Sequence, residues 1–217
     1  NPIAEMLESN GQQPDLIFTG LQQGFMVNIQ ISLFGGFILA FPFIGFQLWK
    51  FVAPGLYKAE KGAFLPFLLA SPILFFLGAS FAFYVVMPLA FDFFLSFQQS
   101  DENSVTNAIG ITYLGTINEY LGLSMKFIIA FGLCFQLPVL LTLMGKAGLV
   151  SSKGLGKVRK YAVVGILLVA AIATPPDVIT QIILFSVVYT LYEVSIFMVR
   201  LVESKRDKEA NQQADVR

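Results

Sequence analysis

Apolar residues in this chain come in long uncharged blocks separated by short polar stretches. Phe25 to Leu48 is 24 residues without a charge, about 36 Å as a helix, enough to cross a hydrocarbon core of roughly 30 Å with some tilt. Phe64 to Phe91 is a second uncharged block, interrupted by Pro66, Pro72 and Pro88. Tyr120 to Met144 is a third, holding one charge, Lys126, and Pro138. Tyr161 to Ala173 has only 13 residues, about 20 Å of helix and short for a span. Ile179 to Leu191 is similarly short before Glu193, and Ile196 to Val199 continues it. The pattern predicts an all-α, polytopic membrane protein. Its single transmembrane domain covers residues 1–203, with five helices over about 25–49, 64–94, 120–145, 161–173 and 178–199. The last two form a short hairpin around Thr174-Pro175-Pro176-Asp177. The prolines at 42, 66, 72, 88 and 138 predict kinks or curvature, and the polar residues 204–217 predict a disordered tail.

Charge orients the helices. Lys50, Lys58 and Lys61 follow the first helix; Lys146, Lys153, Lys157, Arg159 and Lys160 separate the third and fourth. Arg200, Lys205, Arg206, Lys208 and Arg217 form the tail. Thirteen of the 14 basic residues therefore fall on one side of a five-helix arrangement. The opposite side carries Glu5, Glu8, Asp15, Asp101, Glu102, Glu119 and Asp177. The positive-inside rule makes the basic side, with the C-terminus, cytoplasmic. An N-terminus on the far side, beginning at Asn1 with no signal peptide, predicts that one earlier membrane helix precedes this sequence.

Composition agrees and narrows the chemistry. Hydrophobic residues make up 56% and charged residues 13%, with mean hydropathy +0.72; a soluble domain carries about 25% charge. Net charge is zero, so no bulk field recruits nucleic acid. There is no histidine, which removes histidine bases, histidine metal ligands and histidine-ligated haem. The one cysteine, Cys134, lies inside an apolar block and excludes a disulfide or thiolate zinc site within the chain. No nucleophile–base pair or metal set is visible, so the chain reads as no enzyme and needing no cofactor.

Four runs, in order, resemble the TatC family. They are Phe46-Gln47-Leu48-Trp49-Lys50-Phe51-Val52-Ala53-Pro54-Gly55-Leu56-Tyr57-Lys58-Ala59-Glu60-Lys61; Phe83-Tyr84-Val85-Val86-Met87-Pro88-Leu89-Ala90-Phe91; Ala130-Phe131-Gly132-Leu133-Cys134-Phe135-Gln136-Leu137-Pro138-Val139; and Thr174-Pro175-Pro176-Asp177. The resemblance covers nearly everything except the tail. It implies five helices of a six-helix cupped bundle in the bacterial inner membrane. It also implies a receptor core for export of folded proteins bearing twin-arginine signal peptides, driven by the proton-motive force. The implied partners are TatA and TatB subunits, signal peptides of folded cargo, further TatC copies and membrane lipid.

The resemblance also singles out residues. Glu60 matches the glutamate that recognises the arginine pair, and a carboxylate is the natural bidentate acceptor for guanidinium; on residues alone it reads as a solvated loop glutamate between Lys58 and Lys61. Were the segment helical, those lysines would leave the Glu60 face open. Phe51 either packs beside a signal peptide or caps the first helix at the interface. Gln136 stands where many family members carry glutamate: it either bonds a neighbouring helix or docks a polar residue of a partner's membrane helix. Glu193 is an ionisable residue in a membrane helix, functional by default or paired with Arg200 two turns on. Asp177 reads as the N-cap of the last helix, and the resemblance adds a role in translocation. Lys126, two turns after Glu119 on the same face, is predicted to snorkel outward. A secondary transporter or ion channel is the rival class, but no convincing repeat or dense intramembrane charge cluster accompanies it; a membrane assembly scaffold is the other.

Overall fold

A computed structural model describes residue 18 and residues 20–52, 65–96, 116–174 and 178–215. The described residues are almost entirely helical. α1 is Gln23–Val52, uncharged until Lys50 in its last turn, with Pro42 inside. Only a narrow stripe of it is buried, including Val27 and Phe41, while Phe25, Leu33, Leu39 and Phe43 are exposed. A helix that is apolar all round has its remaining faces solvated by lipid tails.

α2, Leu65–Phe81, runs into a π-helical turn at Ala82–Val86 and then into α3, Met87–Ser96. The turn is closed by the Met87 N–H donating to the Ala82 carbonyl. It lies immediately before Pro88, whose ring has no N–H and would press on the carbonyl four residues back; widening the helix by one residue relieves that conflict. Pro72 is accommodated inside α2.

The third predicted helix is interrupted. α4, Ile117–Cys134, starts with the Thr116 hydroxyl accepting the Glu119 N–H, an N-cap within a Thr-x-x-Glu sequence. It stops at Phe135–Gln136, and α5, Leu137–Lys146, resumes with Pro138 at its second position. Pro138 cannot donate to the Cys134 carbonyl, so the ladder breaks where one continuous helix over 120–145 was predicted. α5 ends in a Schellman motif. Gly148 has φ 74°, the Leu149 N–H donates to the Met144 carbonyl at 2.9 Å and the Gly148 N–H to the Gly145 carbonyl at 3.0 Å.

A short α6, Ser152–Lys157, leads into α7, Arg159–Ala173, of 15 residues. α8, Val178–Asp215, is 38 residues long and continues as helix to Asp215, where polar composition predicted a disordered tail after residue 203. Among the described residues, four segments can cross a membrane by length and composition: Gln23–Gln47, Leu69–Phe94, Ile117–Lys146 and Val178–Lys205. α7 is the short fifth, about 22 Å long at 15 residues.

The helices approach closely through small residues. A Cβ on Gly78 would stand 2.7 Å from the Phe131 carbonyl oxygen, on Gly132 2.6 Å from the Phe75 ring, and on Gly145 2.7 Å from Val199. In lipid, where apolar surface gains little by leaving the tails, such close van der Waals packing is what joins helices. α2 packs on α4, and both α5 and α7 pack on α8. The core is aromatic: Phe75, Phe127 and Phe131 are fully buried, and Phe41 of α1 stacks on Phe75 with ring centroids 3.6 Å apart.

Candidate functional site

Gln136 stands at the break between α4 and α5, so its side chain is not committed to a continuous helix face. It closes on Ser71 of α2 twice. Its Nε2 donates to the Ser71 carbonyl at 2.8 Å, and its Oε1 accepts from the Ser71 hydroxyl at 2.6 Å. Ser71 is 1% exposed and directly precedes Pro72. Of the two readings open for Gln136, the interhelical hydrogen bond is present, in a form that uses both halves of the amide. A carboxylate here would set an acceptor against the Ser71 carbonyl, so the amide is matched to its neighbour. Among the described residues these two bonds use half of the amide's capacity, one N–H and one lone pair.

Glu193 of α8 faces the first residue of α7. Its Oε2 lies 2.7 Å from Arg159, and its Oε1 accepts from the Tyr189 hydroxyl at 3.1 Å. The pairing with Arg200 open from the sequence is not made: antiparallel packing brings Arg159, 34 positions earlier, to the carboxylate. Both partners are part-exposed, at 49% and 34%, so the pair contributes little to stability, about 0–1 kcal/mol. Its effect is positional, holding the start of the short helix α7 part-way along α8.

The loop between α5 and α7 is also fastened to α8. Ser151 caps α6 by accepting the Gly154 N–H at 3.0 Å. Glu203 of α8 accepts the Ser152 N–H at 3.1 Å and also bonds the Ser152 hydroxyl. The Tyr192 hydroxyl donates to the Leu155 carbonyl at 2.9 Å. Sequence reasoning did not single out Glu203 or Tyr192. The available signal was Glu203 as an acid in a basic stretch. The result is a pinned platform at one end of the bundle on which Lys153, Lys157, Arg159 and Lys160 are exposed.

Phe51 falls in the last turn of α1, but its side chain, together with Glu60 and Asp177, lies outside the described residues. Among the described residues no group of three or more His, Cys, Asp or Glu side chains could hold a metal ion. Gln136, Glu193, Tyr192 and Glu203 thus join helix to helix or helix to loop, and the described basic residues other than Lys126 gather at one end. The arrangement suits a rigid membrane body that presents a charged surface.

Comparison with known proteins gives the same architecture. The family described as Sec-independent protein translocase protein (TatC) matches residues 1–186. The TatC of Magnetococcus marinus is 46% identical over 214 residues, covering 98% of this chain and 74% of that protein. The TatC of Aquifex aeolicus is 38% identical over 204 residues, covering 94% and 82%. A crystal structure of the twin-arginine translocase receptor TatC in DDM superposes with a TM-score of 0.75 at 37% identity, covering 91% of this chain and 82% of that one. With the family matched across most of the chain and the helical framework shared, this multi-pass membrane protein belongs to the TatC family of Sec-independent protein translocase components.

Proposed function

We propose that this protein is the receptor core of a twin-arginine export system. It binds the arginine pair of signal peptides on folded cargo at its basic end, through Glu60 with Phe51 beside it, and recruits TatA and TatB. In this reading the basic end and the C-terminus face the cytoplasm of a bacterial inner membrane. Gln136 and Asp177 belong to the membrane body that partner helices engage. What carries the reading is the likeness, over 91% of the chain, to a solved protein described as the twin-arginine translocase receptor.

The chemistry of the site follows from its charges. A cationic signal approaching a surface dense in lysine is repelled unless one carboxylate offers a directed, two-oxygen acceptor. Glu60, alone among Lys58, Lys61 and their neighbours, supplies it. Arg159 does not compete for that carboxylate, because it is already held by Glu193. The test is signal crosslinking and export of a twin-arginine reporter. Glu60→Ala and Glu60→Gln should each weaken signal binding about ten- to a hundredfold, the scale of roughly 1.5–3 kcal/mol for a hydrogen bond to a charged group. Lys58→Ala should be much milder. Normal export and crosslinking by Glu60→Ala would remove Glu60 from the site.

A further inference from the structure

α6 and α7 turn one face to the bundle and the opposite face outward. On α6, Ser152 and Leu155 are buried, and both are tied to α8, through Glu203 and the Tyr192 hydroxyl. Lys153 and Lys157, one turn apart, stand on the other side of this helix and are exposed. Only Val158 separates α6 from α7. Its N–H donates to the Gly154 carbonyl at 3.2 Å and its carbonyl accepts from the Ala162 N–H at 3.0 Å, so the helical turn carries through it. Lys160 follows Lys157 at the i, i+3 spacing of neighbours on a helix surface, and it too is exposed.

Three ammonium groups thus share one outward edge, and among the described residues none of them forms an ion pair. The two carboxylates that reach α6 and α7 are committed, Glu193 to Arg159 and Glu203 to Ser152. Like charges at these spacings repel one another along a helix, and an anion brought between them removes that repulsion. What lies inward of the lysines decides which anion. Tyr161 is 67% exposed and has the Lys160 Nζ 5.1 Å from its ring centroid. Tyrosines concentrate at the membrane–water boundary, so this pair marks headgroup level. Further into α7 come Val164, Leu168 and Ile172, all exposed on the side opposite the buried Ile166 and Ala170. From the end of the bundle inward the surface is therefore ammonium, phenol, then aliphatic.

We propose that this edge holds one anionic phospholipid with two phosphates, of the cardiolipin type, in the leaflet adjoining the basic end. One phosphate lies between Lys153 and Lys157, the other at Lys160, and acyl chains run along Val164, Leu168 and Ile172. A headgroup with one phosphate carries a single negative charge and leaves two of the three ammoniums uncompensated. Two linked phosphates leave one, and they spread along the roughly 10 Å of helix from Lys153 to Lys160. Basic surfaces at the ends of membrane helices are suited to such headgroups. The inference rests on the membrane placement of the helices and does not depend on Glu60 or on signal-peptide binding.

Native mass spectrometry of the intact, delipidated protein, titrated with tetraoleoyl-cardiolipin or dioleoyl-phosphatidylglycerol, tests it. One cardiolipin adduct should form in preference to phosphatidylglycerol. Lys157→Gln should weaken that adduct about tenfold, Lys157→Arg should retain it, and Lys126→Gln, away from this end, should leave it unchanged. Equal binding of both lipids by the unmodified protein, or indifference of the adduct to Lys157→Gln, overturns the proposal. So does loss of the adduct in Lys157→Arg, or a weakening by Lys126→Gln as large as by Lys157→Gln, which would mean attraction to overall charge. The deacylated cardiolipin headgroup should not displace the lipid; displacement would reveal a site for soluble anions and overturn it. A photoreactive side chain at Val164 should capture lipid in membranes. Capture of a protein there instead would show another occupant and overturn the proposal as well.

Discussion

Removing the Gln136 side chain separates its two hydrogen bonds, because they end on different parts of Ser71. Gln136→Ala deletes both the bond to the Ser71 carbonyl and the bond from the Ser71 hydroxyl. Ser71→Ala deletes only the second, since the backbone carbonyl remains. Side-chain hydrogen bonds between membrane helices average about 0.6 kcal/mol and reach about 1.7. Gln136→Ala should therefore destabilise the fold by roughly 1–3 kcal/mol and Ser71→Ala by roughly 0.6–1.7 kcal/mol. In the double variant the shared bond is lost only once, so the cycle should return a coupling of about 0.6–1.7 kcal/mol. Reversible unfolding in mixed micelles or bicelles, with all four proteins measured side by side, reads these quantities. A coupling below about 0.3 kcal/mol, the level at which independent sites add, would refute the clasp. So would a Gln136→Ala no more destabilising than Ser71→Ala. If Gln136 serves partner docking instead, Gln136→Ala would abolish crosslinks to the partner's membrane helix while stability stays unchanged.

Other tests address topology and the loop clip. Cysteines at Ser104 and Lys153 should label from opposite sides of the membrane; Lys153 is preferable to its neighbour Ser152, which is buried against Glu203. Labelling of both from one side would discard the five-helix topology. Glu203→Ala should leave the Ser152 N–H and hydroxyl without their acceptor and cost roughly 1–3 kcal/mol; hydrogen exchange at α6 amides should rise severalfold, and unchanged exchange would show that α6 is held by other contacts. Because α7 is about 22 Å long, a spin label at Ile172 should lie beside locally thinned bilayer. Ordinary thickness there would mean that the hairpin end is covered by protein.

Membrane class, helix order and the one-sided basic charge were legible in the sequence because each depends on composition summed over long segments. Uncharged blocks the length of a bilayer leave few alternatives, and any error in their number would scatter the lysines across both sides. The proline signals were legible in kind but not in outcome. Pro88 is met by a π turn and Pro138 by a full break at Phe135–Gln136, while Pro42 and Pro72 are carried within helices. What happens at a proline depends on which neighbouring groups satisfy the freed carbonyl. Partner choice was not legible at all. Glu193 had Arg200 two turns away on its own helix, yet it binds Arg159, and Gln136 reaches Ser71, 65 positions earlier. A single polar side chain carries no record of which helix will pack beside it. That follows from the glycine contacts at Gly78, Gly132 and Gly145, which set how closely and at what register the helices meet. The charged ends of this protein are thus written in local composition, whereas its internal polar joints exist only once those helices are packed.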